Sequence, residues 1–227
     1  MTRRFFFYTL LIFGIAAAIV AVGIGIPVGV RAATNAGGFT DRIASGVAAV
    51  ALSTPVFVIG TLAILLFAQT LRIAPAGGYV AFAEDPLRHI GLLTLPALTV
   101  AAPLCAVVVR MTRSAVLEVL ERDFVRAVRA RGVAPRRILS RHVLRSALVP
   151  VVTVTGIELG TLLGGTVLVE YVYNWPGLSG FLVSAVEARD YPEVVGIVLT
   201  ISTIFVLLNL VVDLLNALLD PKVRLAT

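Results

Sequence analysis

Five apolar stretches, each about long enough to cross a bilayer, leave this chain few ways to fold. Lipid offers no water to satisfy peptide N–H and C=O groups, so a spanning segment must bond within itself, as an α-helix does. The stretches run over about residues 5–30, 46–71, 90–109, 147–169 and 195–219. Pro27 lies near the end of the first, Pro55 within the second, and Pro96 and Pro103 within the third. Membrane helices tolerate such prolines when neighbours satisfy the freed carbonyls. The sequence predicts an all-α, polytopic membrane protein of about five transmembrane helices in one domain, 1–227. A composition of 59% hydrophobic and 14% charged residues fits no ordinary soluble domain.

Few residues are left for chemistry. The lone Cys105 sits in an apolar run and excludes an intramolecular disulfide framework; it reads as a small apolar filler. His89 and His142 fall on opposite sides of the predicted membrane, so no shared metal or catalytic site is expected. The sequence holds no phosphate-binding GxxxxGK[ST] loop. No catalytic residue, metal or cofactor is predicted, and no enzymatic activity.

Charge is concentrated in one place. The net charge is +6, yet Arg110 to Arg145 alone holds ten arginines against Glu118, Glu121 and Asp123. Basic loops stay cytoplasmic, so 110–146 is assigned to that side, and nucleic acid is not needed to explain the charge. Arg31, Arg42 and the tail DPKVRLAT then fall inside as well. Residues 72–89 and 170–194 fall outside, the latter with Glu170, Glu187, Asp190 and Glu193 against Arg189. Arg3 and Arg4 are then on the outer side, against the charge rule.

The basic segment is also shaped. In RDFVRAVRARGVAPRRILSRHVLRSALVP, Arg122 to Pro150, an amphipathic helix is expected over Leu117–Val128, its apolar side made by Leu117, Leu120, Phe124, Ala127 and Val128. It should stop near Arg131, because Gly132 can take the left-handed conformation that ends helices. Pro135 can open a second helix, Arg136 to Leu144, at its first position. Topology alone would need only charge. Two helices joined by a fixed Gly-x-x-Pro turn suit docking into a cleft on another protein.

Here the sequence resembles a known family. DFVRAVRARGVAPRRILSRHVLRSALVP is similar to the cytoplasmic signature of binding-protein-dependent ABC importer permeases, in particular their dipeptide/oligopeptide/nickel branch. The signature centres on Gly132, preceded by Ala127 and Ala130; Arg126 stands where the wider superfamily has Glu. LSTPVFVIGTLAILLFA, LTLPALTVAAPL, GTLLGGTVLVEYVYNWPGLSGFLVSAVEARDYPEVVGIVL and NLVVDLLNALLDPKVRL resemble the same branch, so the likeness runs from about Ile15 to Leu225.

The resemblance implies a type I importer permease of the bacterial cytoplasmic membrane. It implies alternating access driven by two partner ATPases, with a second permease subunit, an extracytoplasmic substrate-binding protein and surrounding lipid as further partners. It implies that the hairpin is the coupling helix, carried here by Arg126, Ala127, Ala130, Arg131, Gly132, Pro135, Arg136 and Arg137. Substrate would be a dipeptide or oligopeptide, or alternatively nickel or another solute. The family usually has one further helix and an extracellular segment before the span at Phe5. The resemblance therefore implies a chain lacking its first helix, with a non-transporting membrane protein as the alternative. A secondary transporter is the other class, and the absence of a visible inverted repeat argues against it.

Other positions remain open. Glu158 lies about 12 residues from either end of the fourth span, ~18 Å of helix rise. It is a translocation-pathway candidate, or else a protonated or paired structural acid. Gly156, Gly160 and Gly164 form a small-residue seam for helix packing, within the chain or with a second permease. Asn209 and Asp213 read as structural hydrogen-bonding groups. The loop Asn174–Phe181 reads as an aromatic membrane anchor or as the place where a binding protein docks.

Overall fold

A computed structural model describes the backbone of residues 2–219. Side chains are described for 12–210, save 160, 161, 163–165, 179, 205, 208 and 209. Every regular element among the described residues is helical. The order is α1 Thr2–Thr34, α2 Phe39–Ser53, α3 Val56–Ala63 continued by a π-helical turn Ile64–Thr70, and α4 Pro86–Leu120. Then come α5 Asp123–Ala130 and α6 Pro135–Ile138, the latter passing through a π-turn Leu139–Val143 into α7 Leu144–Val172. Helices α8 Leu178–Glu187 and α9 Tyr191–Leu219 complete the described residues.

The limits differ from expectation for local reasons. Helix α1 does not end near Pro27 but runs on to Thr34. There the Thr34 hydroxyl and Asn35 amide donate to the carbonyls of Val30 and Arg31, and Gly37 turns the chain with φ +76°. The second predicted span is not one helix. Thr54, forced from the helical region by the proline after it, is extended at φ −99°, ψ 126°, and Pro55 is extended too. The halves α2 and α3 meet at 110°. Helix α4 has 35 residues, about 52 Å at 1.5 Å per residue, so it outruns a ~30 Å hydrocarbon core. The stretch 110–120, assigned to a cytoplasmic loop, is its continuation. Asp85 starts α4 by accepting the Arg88 N–H at 3.0 Å, with Pro86 at the first position.

Three helices, Ile12–Thr34, Pro86–Leu120 and Pro135–Leu159, are long and apolar enough to cross a membrane; the bent α2–α3 pair makes a fourth if counted as one span. The fifth predicted span falls in α9, apolar over Tyr191–Ile204.

The buried residues form three tiers. The first, called the cytoplasmic tier because it lies at the end assigned to that side, joins Leu104, Val108, Val116 and Val119 of α4 to Val125, Ile138, Val143 and Val151. The middle tier joins Ala17 of α1 to Leu95, Val100, Val169 and Tyr173. The outer tier is Phe13, Leu92 and Trp175. Helix α1 lies along α4, and at Gly25 and Gly29 a Cβ would collide with Val108 and Thr112. This is the small-residue seam that brings two membrane helices into close contact. It lies on α1; Gly160 and Gly164 of the predicted seam lie outside the described side chains, and Gly156 is half-buried.

Two polar ties hold the bent α2–α3 pair. Asp41, 4% exposed, accepts from Arg113 Nε at 2.5 Å and Nη2 at 2.9 Å, and from the Gly37 N–H at 2.8 Å. Tyr173 shares a hydrogen bond with Thr99 at 2.8 Å and donates to the Gly60 carbonyl at 3.2 Å. Arg113→Met would leave the Asp41 carboxylate without its cation, so it should lower the thermal unfolding midpoint, an effect moderated because the Arg113 side chain is one-third exposed. Asp41→Asn/Arg113→Met should recover part of the loss, as read from thermal unfolding of the purified protein.

Candidate functional site

The arginine-rich segment folds as a hairpin at the end of the bundle assigned to the cytoplasm. Helix α4 stops at Leu120, and Arg122 is extended at ψ 146°. The single amphipathic helix expected over 117–128 is thus broken at 121–122. The break turns α5 relative to the predicted register. Phe124 and Ala127 are exposed, and Val125 is wholly buried. Val125, Ile138 and Val143 enter the cytoplasmic tier beside Val116 and Val119, with Val128 and Val133 half-buried against it. The hairpin is therefore bolted to α4 and α7 by apolar burial.

Its turn takes the form the sequence requires. Gly132 has φ +77°, a region costly for residues with a Cβ, and its N–H donates to Arg129 O at 3.0 Å. Pro135 is the first residue of α6; Ala134 supplies no side-chain cap, but its carbonyl accepts from the Arg137 N–H at 2.9 Å. The second helix does not stop at Leu144. It continues through the π-turn into α7, so the hairpin's second arm and a long apolar helix are one element.

The outer surface is cationic. Arg126, Arg129, Arg131, Arg136 and Arg137 are exposed, with the small Ala127 and Ala130 between them. Arg126 lies 3.7 Å from Asp123, and Arg122 donates to Glu118 at 2.7 Å. Both pairs are solvent-exposed and contribute little. Among the described residues the other arginines of the hairpin have no ion pair. A positive, small-residue knob results. Beside it a cleft of about 620 Å³ opens between α4 and α7, lined by Glu118, Arg122, Ser146 and Thr153.

The remaining predicted residues lie apart from this knob. Glu158 is half-buried on α7, 13 residues or about 20 Å above Arg145, and it engages other groups of the protein. The side chains of Asn209 and Asp213 lie outside the described residues. Cys105 is half-buried against the cytoplasmic tier. Among the described residues no three His, Cys, Asp or Glu side chains converge as a metal site.

At the opposite end the two segments assigned outside meet. Gly78 N–H donates to Tyr173 O at 2.9 Å, and Trp175 stacks edge-on against Tyr79 and His89 and tilts against Phe13 of α1. Trp175 is 4% exposed, so it is a core residue of this end and not an anchor in the lipid interface. Burial, and the charge of Glu84, push the Tyr79 phenol above its ordinary value and keep it neutral. Glu170, counted with the outer acidic residues, is instead buried at the end of α7, where a side chain at Gly177 would strike its carboxylate. The sequence also did not disclose α8 within 170–194; its only signal was the apolar LSGFLVSAV.

A family model described as binding-protein-dependent transport system inner membrane component matches residues 25–225. The dipeptide transport system permease protein DppB of Escherichia coli K12 is 40% identical over 234 residues, covering 93% of this chain and 69% of its own. The probable peptide ABC transporter permease y4tP of Sinorhizobium fredii is 40% identical, covering 91% and 66%. The glutathione transport system permease GsiC of Pectobacterium atrosepticum is 42% identical, covering 90% and 64%. The chain thus spans about two thirds of the length of these curated relatives. Among solved structures, a chain of the MetNI methionine ABC transporter in an inward-facing conformation superposes with a TM-score of 0.71. It is 18% identical and is matched over 94% of each chain.

If Val125 bolts the hairpin down, Val125→Asp should free it. Trypsin should then cut after Arg126, Arg129 and Arg131 at least ~10-fold faster in the folded protein, while the helical content of the bundle, read by circular dichroism, is kept. Unchanged protection would show that α5 is held by other contacts.

Proposed function

The chain belongs to the family of binding-protein-dependent transport system inner membrane components, and from that membership we propose that it is the permease of an ATP-driven importer of short peptides. Membership places it in the inner membrane and implies ATPase and binding-protein partners. The finer points are our reading: two cytoplasmic ATPases, a second permease subunit, and a non-catalytic role for this chain. The names of the 40–42% identical relatives favour a dipeptide or similar short peptide over nickel or another solute.

The observation that carries the reading is the hairpin, a cationic knob whose second arm is continuous with α7. The arginines and the small Ala127 and Ala130 seat in an acidic groove of an ATPase. When two ATPases close on ATP, each pulls its knob. Because Val125, Ile138 and Val143 bury the knob against α4 and α7, the pull moves long helices as rigid bodies. The cytoplasmic ends then close while the outer ends part, which is alternating access. Charge complementarity speeds and orients docking, and apolar burial transmits force. Glu158, half-buried near mid-membrane on α7, faces the pathway in this reading and offers a hydrogen-bonding carboxyl to a peptide's polar groups.

The test is retention of the ATPases encoded with the chain. Gly132→Val places a β-branched side chain at φ +77°, where it is strained. It should lower co-purified ATPase at least ~10-fold with membrane insertion intact. Full retention in the variant would overturn the hairpin's role, and no ATPase with the unaltered chain would overturn the importer reading itself. A second expectation concerns Glu158→Leu: it should reduce uptake of a labelled dipeptide several-fold while leaving ATPase retention unchanged.

A further inference from the structure

A cleft of about 720 Å³ opens between α2 and α4 where the bundle meets the cytoplasm. Asp41, early in α2, meets Arg113, and the next turns of α2, at Ser45, Ala49 and Leu52, share the cleft with the turns of α4 that lead back from Ser114 through Arg110 to Val107. The lining is therefore ordered by depth. Ser45, Arg113 and Ser114 come at the cytoplasmic end, Ala49 and Arg110 about one turn further in, and Leu52 and Val107 deepest. Over about 10 Å of helix rise the wall passes from cationic and hydroxylic to wholly apolar.

The charges at its rim are arranged to be shared. Arg113 gives Nε and Nη2 to Asp41, which fixes the guanidinium plane and leaves its other edge for a second acceptor. Arg110 is exposed and has no ion pair among the described residues. Arg31 and Arg42, at the adjoining ends of α1 and α2, are exposed too. The lining contains two arginines and no carboxylate. Below the rim, α2 presents Val47 and Val50 outward, each about two-thirds exposed.

We propose that this cleft is a binding site for one anionic phospholipid of the cytoplasmic leaflet. The phosphate sits between Arg110 and the outer edge of Arg113, with Ser45 and Ser114 as hydroxyl donors. The acyl chains lie over Leu52 and Val107 and along the outer face of α2. An amphiphile with its anionic head toward the cytoplasm matches a gradient of this direction and length. A soluble anion would match only the rim, and a protein segment would need a carboxylate at one depth and apolar side chains one turn deeper. The bound lipid clamps α2 to α4 where the Asp41–Arg113 pair already ties them, so it stiffens the cytoplasmic half of the bent pair.

The test is native mass spectrometry of the full chain purified in dodecyl maltoside, given palmitoyl-oleoyl phosphatidylglycerol or the matching phosphatidylcholine. One arginine at an anionic surface is worth about fivefold in binding. Arg110→Gln should lower retained phosphatidylglycerol about that much. Ala49→Trp, which fills the cleft and removes no charge, should do the same. Arg145→Gln, on α7 outside the cleft, should not. Millimolar inorganic phosphate should not displace the lipid. Equal retention of phosphatidylcholine, unchanged binding in both cleft variants, or equal loss in Arg145→Gln would overturn the proposal. Full displacement by phosphate would overturn it in favour of a free-anion site.

Discussion

The fold is governed by the demand that every backbone amide at membrane depth find its partner inside the protein. Unbroken helices meet it automatically. The informative places are those where the helix breaks. At Thr54–Pro55 the Thr54 hydroxyl donates to Val50 O at 2.7 Å, and in the π-turn after α3 the Thr70 hydroxyl donates to Leu65 O at 2.8 Å. The Gly60 carbonyl, one turn past the bend, takes the Tyr173 hydroxyl. A bend of 110° is therefore affordable only on a face covered by α4 and α7, and this fixes where α3 can lie.

That constraint gives the bundle two mechanically different parts. Helices α1, α4 and α7 pack through three continuous tiers, with α1 drawn close to α4 at Gly25 and Gly29. The α2–α3 pair is held by a few polar ties and leaves Val47, Val50 and Leu62 more than half exposed. A displacement of Val125 would be felt in the tiered part directly, and in the bent pair through Asp41–Arg113 at one end and Tyr173–Gly60 at the other.

Much of this was legible in the sequence, and the failures have physical causes. Hydropathy located the five helical regions, because apolar runs of that length have no other use in a membrane protein. Gly132 and Pro135 were legible because their backbone restrictions are intrinsic to the residue. Pro55 was not read as a corner, since a proline in a membrane helix is compatible with either a kink or a break, and the extended ψ of Thr54 and Pro55 decides between them. The buried face of α5 was misassigned because periodicity assumes an unbroken helix. A one-residue extension at Arg122 exchanges Phe124 and Ala127 for Val125. Glu170 and Trp175 looked like outer-surface residues from composition alone. Only the approach of Gly177 and of the 77–80 segment buries them.

The same distinction separates the two uses of arginine in this chain. Counting charge assigns the whole 110–146 segment to the cytoplasm and says nothing more. Burial divides it. Arg113 is half-withdrawn into a bidentate pair with Asp41, where it orders a helix–helix contact; Arg129, Arg136 and Arg137 are held out, exposed, on a buried apolar base. What separates the groups is the residue beneath: an acid under Arg113, and valine and isoleucine under the hairpin. An arginine over a carboxylate stabilises the fold, and an arginine over a buried apolar anchor is free to recognise a partner. The positions of Asp41 and Val125 therefore carry as much functional information as the arginines themselves.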